Sequence, residues 1–248
     1  MRWPSSRWVM LTGLIALLLL GWAPAARHVR AVQFLQRLSA PAGATTIQSE
    51  ELTIPGKSGN IRARLYFRKG ARPGAAIVVA HGVHYRGIDE GRLVPFARAL
   101  AESGLTVLTP ELRELADYRI TRGGVGVIRD SVRYLASRRD RVAHEKVELL
   151  GFSFAGGLSL VAASDPETAR QLGSVTSVGG HHDLRRVLRF LVHDEIETPN
   201  GVVQQQAHEY GLVVLIYSNL ERFVPAVDLA AMRAGFQAWL QEDRKRAR

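Results

Sequence analysis

A serine with small neighbours lies near the middle of the chain, in the segment Gly151-Phe152-Ser153-Phe154-Ala155-Gly156-Gly157. The apolar run Val147 to Leu150 leads directly into it, and a small-residue segment of helical character, Phe154 to Ala163, leads away. A serine at such a strand-to-helix turn is the nucleophile-elbow pattern G-x-S-x-G, here with Ala155 at the second glycine position. The turn is sharp, so a large side chain at 151 or 155 is expected to collide with the serine. The following helix aims its N-terminus at Ser153, which favours negative charge there. These residues suit addition of the Ser153 hydroxyl to an acyl carbon, with the new negative oxygen received by backbone N–H groups.

A second segment complements the first. Ile77 to Ala80 is an apolar β-type run that ends in His81-Gly82-Val83. A loop at this place has to bring a backbone N–H to the oxyanion, and Val83 is the natural donor, paired with the N–H of Phe154.

The elements that position these residues are legible around them. Glu51–Pro55 and Ile61–Phe67 alternate apolar and polar residues about Gly56-Lys57-Ser58-Gly59, which predicts a β-hairpin at a sheet edge. From residue 73 the pattern becomes strand, helix, strand, helix. Ala75–Ala80 predicts a buried strand, Gly91–Ser103 a helix stopped by Gly104, and Leu105–Leu108 a strand closed by Pro110. Val125–Ser137 has Val125, Ile128, Val132 and Leu135 on one helical face, and Ser174–Val178 is a further strand. Buried strands alternating with helices imply an α/β domain, a mostly parallel sheet covered on both faces.

On the His81-Gly82 loop, the Gly91–Pro110 helix–strand unit with its Leu-Thr-Pro-Glu-Leu-Arg ending, and the Gly151–Gly157 elbow, residues 51 to 183 resemble the α/β-hydrolase superfamily. Within it they look most like the dienelactone-hydrolase-like and serine-peptidase-like branches. The resemblance implies a Ser–acid–His triad, attack on esters, lactones or peptides, no metal and no organic cofactor. It also implies that the base comes late in the chain, so His81 reads as a structural residue that holds its loop.

The chain departs from that pattern after Ser153. The only later histidines are His181, His182, His193 and His208, and none lies in the last forty residues. Two acids suggest themselves. Asp183 follows the sixth strand, and Glu221 would follow a seventh if Val213–Tyr217 were extended. The favoured reading makes residues 185–248 a helical lid instead, because Leu184–His193 and Leu229, Met232, Phe236 and Leu240 have helical spacing; Glu221 is then a surface residue. On that reading the chain stops before the last core strands, and the acid is Asp183, Glu221 or absent.

The N-terminus carries a different signal. Arg2 and Arg7 precede an apolar stretch from Trp8 to about Pro24, and no acidic residue appears before Glu50. This is the pattern of an export signal or a membrane anchor, residues 1–26, and it implies a membrane-anchored or exported protein. Residues 27–50 read as a linker with a short helix over Ala31–Leu38. Residues 51–184 read as the core and 185–248 as the lid.

Composition narrows the partners. The 248 residues contain no cysteine, which excludes disulfides, thiolate catalysis and Cys-based zinc sites. The formal charge of +10 is dispersed along the chain and comes with no nucleic-acid-binding signature, so no nucleic-acid partner is expected. The expected partners are a small-molecule ester or acyl substrate and, through the N-terminal segment, a membrane. The expected function is serine-dependent acyl hydrolysis. The alternative is a non-catalytic hydrolase-like protein that binds a partner or lipid at the membrane.

Overall fold

The computed structural model of the protein describes residues 25–26, 28–38, 47–57 and 59–241. The apolar stretch from Trp8 to Pro24 lies outside the described residues. Among the described residues, no helix is long and apolar enough to cross a membrane.

Residues 28–38 form helix α1. Strands β1 (Ile47–Gly56) and β2 (Gly59–Arg68) then make a hairpin, with the register running from Ile47 opposite Arg68 to Gly56 opposite Gly59. Its alternating residues behave as the pattern requires: Ile54, Ile61, Ala63 and Leu65 point into the core. The hairpin turn is tied down by the buried Asp130, whose carboxylate accepts the Lys57 N–H at 2.8 Å and pairs with Arg133 at 2.6 Å.

The chain continues through β3 (Ala76–Ala80), a 3-10 turn at Gly87–Asp89, α2 (Leu93–Glu102), β4 (Thr106–Pro110), the short α3 (Arg113–Ala116) and α4 (Gly123–Ser137). It then passes through β5 (Val147–Phe152), α5 (Phe154–Ala163), the short α6 (Pro166–Arg170) and β6 (Leu172–Val178). One six-stranded sheet results, in the order β1-β2-β4-β3-β5-β6. The hairpin joins it antiparallel through β2 and β4, and β4, β3, β5 and β6 are mutually parallel. The expected edge position of the hairpin is observed, with β1 outermost.

β3 and β4 lie inside this sheet and are buried along their whole length, as continuous apolar strands covered on both faces must be. On one face Val78, Leu108 and Leu149 pack with Ile128, Val132 and Leu135 of α4. On the other face Ile77, Val79 and Val107 pack with Leu93, Ala97 and Ala101 of α2. Neighbouring residues of one strand thus serve opposite layers, as a side-chain period of two dictates. β6 is the opposite edge. Among the described residues no strand pairs with its outer side.

Beyond β6 come α7 (Leu184–His193), β7 (Glu195–Thr198), β8 (Gly201–Gln204), α8 (Glu209–Ser218), a 3-10 turn at Leu220–Arg222, and α9 (Leu229–Leu240). Val213–Tyr217, weighed as a seventh strand and set aside for a helical segment, is the interior of helix α8. A short apolar run carries no periodicity that separates strand from helix, and packing against its neighbours decides. The helical reading of residues 185–248 in turn omits a hairpin: β7 and β8 pair antiparallel about Pro199-Asn200, with Gly201 at φ 118°. Asn-Gly between two short strands is a turn signal that the sequence does contain.

Tyr118 fastens this C-terminal segment to the sheet. Its ring is buried against Tyr217, with centroids 5.8 Å apart at 79°, and its hydroxyl donates to the Leu240 carbonyl at 3.1 Å. The Ser218 hydroxyl donates to its carbonyl. Tyr118→Phe deletes the bond to the Leu240 carbonyl and keeps the ring. It is expected to lower unfolding free energy by about 1 kcal/mol, read by chemical denaturation.

Candidate active site

β5 runs into α5 with a single residue between them. That residue is Ser153, at φ 53° and ψ −128°. Positive φ is disfavoured for a residue with a β-carbon, and such a conformation costs on the order of 1–3 kcal/mol unless its surroundings enforce it. Here they do. The Ser153 N–H donates to the Val178 carbonyl of β6 at 2.8 Å, and its own carbonyl accepts the Gly156 N–H at 2.8 Å.

The glycines of the elbow are required by close contacts. A β-carbon on Gly151 would lie 2.5 Å from both the Ala155 carbonyl oxygen and Ser159 Oγ. One on Gly156 would lie 2.5 Å from Ser177 Oγ, and one on Gly157 would lie 2.8 Å from the His181 carbonyl oxygen. The expected reason for a small residue at 151 needs correcting in detail. The collision is with the first turn of α5 and with Ser159, not with Ser153 itself.

The loop after β3 crosses in front of the serine. A β-carbon on Gly82 would sit 3.2 Å from the β-carbon of Ser153, so only glycine lets the backbone pass this close without displacing it. His81 is buried and its two nitrogens are committed. Nε2 accepts the Leu112 N–H at 2.9 Å, which leaves the proton on Nδ1, 2.8 Å from the Gly82 carbonyl oxygen. Glu111 Oε1 lies 3.5 Å from the same Nε2, but a nitrogen whose lone pair takes the Leu112 N–H has no proton to offer a carboxylate. The Gly82 carbonyl and the Val83 N–H belong to one planar peptide group, so His81 fixes the direction of that N–H. From the other side, the Tyr210 hydroxyl of α8 donates to the Val83 carbonyl at 3.2 Å.

Ser153, Val83 and Phe154 line one cavity of ≈ 510 Å³. Leu93, Phe96 and Phe152 form much of its apolar wall, and Gly211 and Val214 of α8 cover part of it. The polar groups are His81, His84, Glu90, Arg92 and Tyr210. Glu90 is occupied at the start of α2, where it accepts the N–H groups of Arg92 (3.0 Å) and Leu93 (2.8 Å) and pairs with the Arg92 guanidinium (2.7 Å). Partial burial pushes its carboxyl up, but these donors prevail and hold it below the ordinary value. His84 Nδ1 accepts the Arg86 N–H at 3.2 Å, and its ring stacks on Tyr85.

The acid and base candidates from the sequence are not brought to this cavity. Asp183 caps α7 by accepting the Arg185 N–H at 2.9 Å. Glu221 is 57% exposed and pairs with Arg233 at 3.4 Å, as a surface residue would. His193 ends α7 and His208 precedes α8. His181 follows β6 and lies edge-on to Phe154, with centroids 5.0 Å apart. Among the described residues, neither these histidines nor His182 line the cavity. Among the described residues there is also no cluster of three or more His, Asp or Glu side chains placed to hold a metal ion.

No model of a known protein family matches the chain, and no curated protein matches it in sequence. Solved structures do match it in fold. It is similar to brefeldin A esterase, described as a bacterial homologue of human hormone sensitive lipase, at 18% identity and a TM-score of 0.50 over 63% of this chain and 48% of that one. It is similar also to the hyperthermophilic esterase of Pyrobaculum calidifontis (22% identity, TM-score 0.48, 62% of this chain and 49% of that one). A third is the dienelactone hydrolase of Anabaena variabilis (24% identity, TM-score 0.48, 57% of this chain and 68% of that one). The chain spans about half the length of the two esterases. At these identities the likeness shows the fold alone.

Two outcomes test this geometry. Gly151→Ala forces a β-carbon onto the α5 backbone and is expected to destabilise the protein by about 3 kcal/mol in chemical denaturation. The second concerns pH. Burial lowers the His181 pKa below its ordinary 6.5, and neighbouring His182 adds to the effect. Above pH 6.5 the ring is neutral in both states. Below it the unfolded chain binds the proton more readily, so stability is lost as pH falls. Thermal unfolding of His181→Gln is expected to show a flatter pH dependence over that range than the parent.

Proposed function

From its α/β-hydrolase fold, we propose that the chain is a serine hydrolase acting on a small-molecule ester or related acyl compound through Ser153. The observation that carries the proposal is the strained serine at the head of α5, in one cavity with Val83 and Phe154. The Ser153 oxygen adds to the acyl carbon, and the N–H groups of Val83 and Phe154 receive the oxyanion. Collapse breaks the bond to the leaving oxygen, which departs as the alcohol with the proton that the serine hydroxyl gave up, and leaves an acyl–serine ester. Water then adds to that ester and releases the acid, restoring the serine. The reading needs no metal and no organic cofactor. Residues 51–184 supply the machinery, and residues 185–248 act as the lid that shapes the cavity. On this reading residues 1–26 are an export signal or membrane anchor and the domain lies at or beyond a membrane.

One observation favours a second reading. The histidines after Ser153 do not line the cavity, and a serine nucleophile without its general base retains only a residual rate, on the order of 10³–10⁴ over water. On the second reading the protein is a non-catalytic relative that binds a partner or lipid.

A fluorophosphonate probe separates the two. The hydrolase reading expects slow, stoichiometric labelling of the folded protein at Ser153 and none in Ser153→Ala. Absence of labelling in the folded parent, or equal labelling of both proteins, rejects the hydrolase reading in favour of the second.

A further inference from the structure

The serine cavity is connected to α1 through its own wall. Phe34 of α1 meets Phe96 edge-on, with centroids 5.7 Å apart at 86°, and Phe96 meets Phe152 in the same way at 5.3 Å and 78°. Phe96 and Phe152 both line the cavity, and Phe152 precedes the serine. Arg37 adds a second attachment by donating to Ser103 Oγ at 2.9 Å. Residues 28–38 are therefore not a free stalk. They brace the apolar wall of the site.

The other side of α1 carries exposed apolar residues beside Gln33 and Gln36. Val29 is 55% exposed and Val32 is 53% exposed, with Leu35 beside them at 60%. Val29 and Val32 are three residues apart and share a face, while Phe34, two residues beyond Val32, points the opposite way. A helix that buries one apolar residue inward and presents valines outward can receive a further apolar neighbour.

The surrounding sequence says what that neighbour is. There is no Asp or Glu before Glu50, whereas Arg2, Arg7, Arg27, Arg30 and Arg37 all fall in this stretch. The apolar run from Trp8 to Pro24 ends just ahead of α1. Outward valines, uniformly basic charge and continuity with an apolar run are the composition of a helix that lies in a lipid headgroup layer. We propose that α1 lies along an anionic lipid surface, and that the cavity it braces draws its acyl chain from that surface. The substrate class is then a lipid-borne ester. This substrate assignment rests on Ser153 being the nucleophile; the surface assignment does not.

Because the chain contains no cysteine, a single Val32→Cys labels uniquely. The full chain, carrying the environment-sensitive fluorophore NBD at that position, is reconstituted into vesicles of phosphatidylcholine with and without phosphatidylglycerol. Glu145→Cys, on the exposed loop before β5, serves as the reference. The expected result is blue-shifted emission at position 32, quenched at least about threefold more than at position 145 by lipids spin-labelled near the headgroup. Anionic lipid is expected to strengthen the quenching. Emission at position 32 as water-like as at 145 overturns the proposal. So does a shielded label that headgroup spin labels do not reach, which would mean a second copy or another protein segment covers the helix.

The substrate arm compares Val29→Asp/Val32→Asp with the parent. Hydrolysis of a vesicle-borne fluorogenic lipid ester is expected to fall at least about tenfold, with hydrolysis of a soluble short-chain ester kept within about twofold. Equal loss on both substrates, or on neither, overturns the substrate assignment. Fluorophosphonate labelling in the same samples separates the failures. A lipid-shielded position 32 with an unlabelled Ser153 rejects the hydrolase reading alone. A labelled Ser153 with a water-exposed position 32 rejects the surface alone.

Discussion

The backbone of Ser153 is the constraint around which the rest is arranged. A residue with a β-carbon is held at φ 53°, and it stays there because a strand and a helix leave it no other path. β5 is fixed on both sides by β3 and β6, and the N–H of Ser153 is bound to β6 at Val178. α5 presses so closely on β5 and on the loop after β6 that Gly151, Gly156 and Gly157 have no room for a methyl group. The strain is thus carried by the packing of a whole layer, which holds Ser153 at the wall of the cavity.

The loop facing the serine is held by a chain of polar contacts. The Leu112 N–H fixes one side of the His81 ring, the other side of that ring fixes the Gly82–Val83 peptide, and Tyr210 holds the next carbonyl. Tyr210 belongs to α8, which is attached to the core through Tyr118. The helical segment beyond β6 therefore does more than cover the cavity. It is bonded to the peptide that directly follows the one whose N–H would meet an oxyanion, so movement of α8 and the quality of that site are coupled.

Much of this was legible in the sequence where one physical requirement dominated. The apolar runs Ala75–Ala80 and Leu105–Leu108 read as strands and fall on β3 and β4, and Val125, Ile128, Val132 and Leu135 could bury together only on one face of a helix. The elbow was legible because a serine there needs small neighbours, although what those neighbours touch is set by the packing of α5 on β5. Legibility was lower where requirements competed. Val213–Tyr217 is apolar without a period, so a strand stood beside the favoured helix until its packing was seen. The 195–204 hairpin was signalled by Asn200-Gly201, a local cue lost inside a stretch of helical spacing. The structural role of His81 followed from chain order, and the bonds at both ring nitrogens agree with it.

The central claim is that Ser153 is a nucleophile in a preformed oxyanion site. The most direct measurement is peptide mass mapping of the folded protein after brief exposure to p-nitrophenyl butyrate and acid quench. A Ser153 nucleophile predicts one butyryl group, confined to the peptide containing Ser153 and lost on longer incubation. Butyryl groups scattered over lysines, or a Ser153 peptide that stays unmodified while the ester is consumed, contradict it.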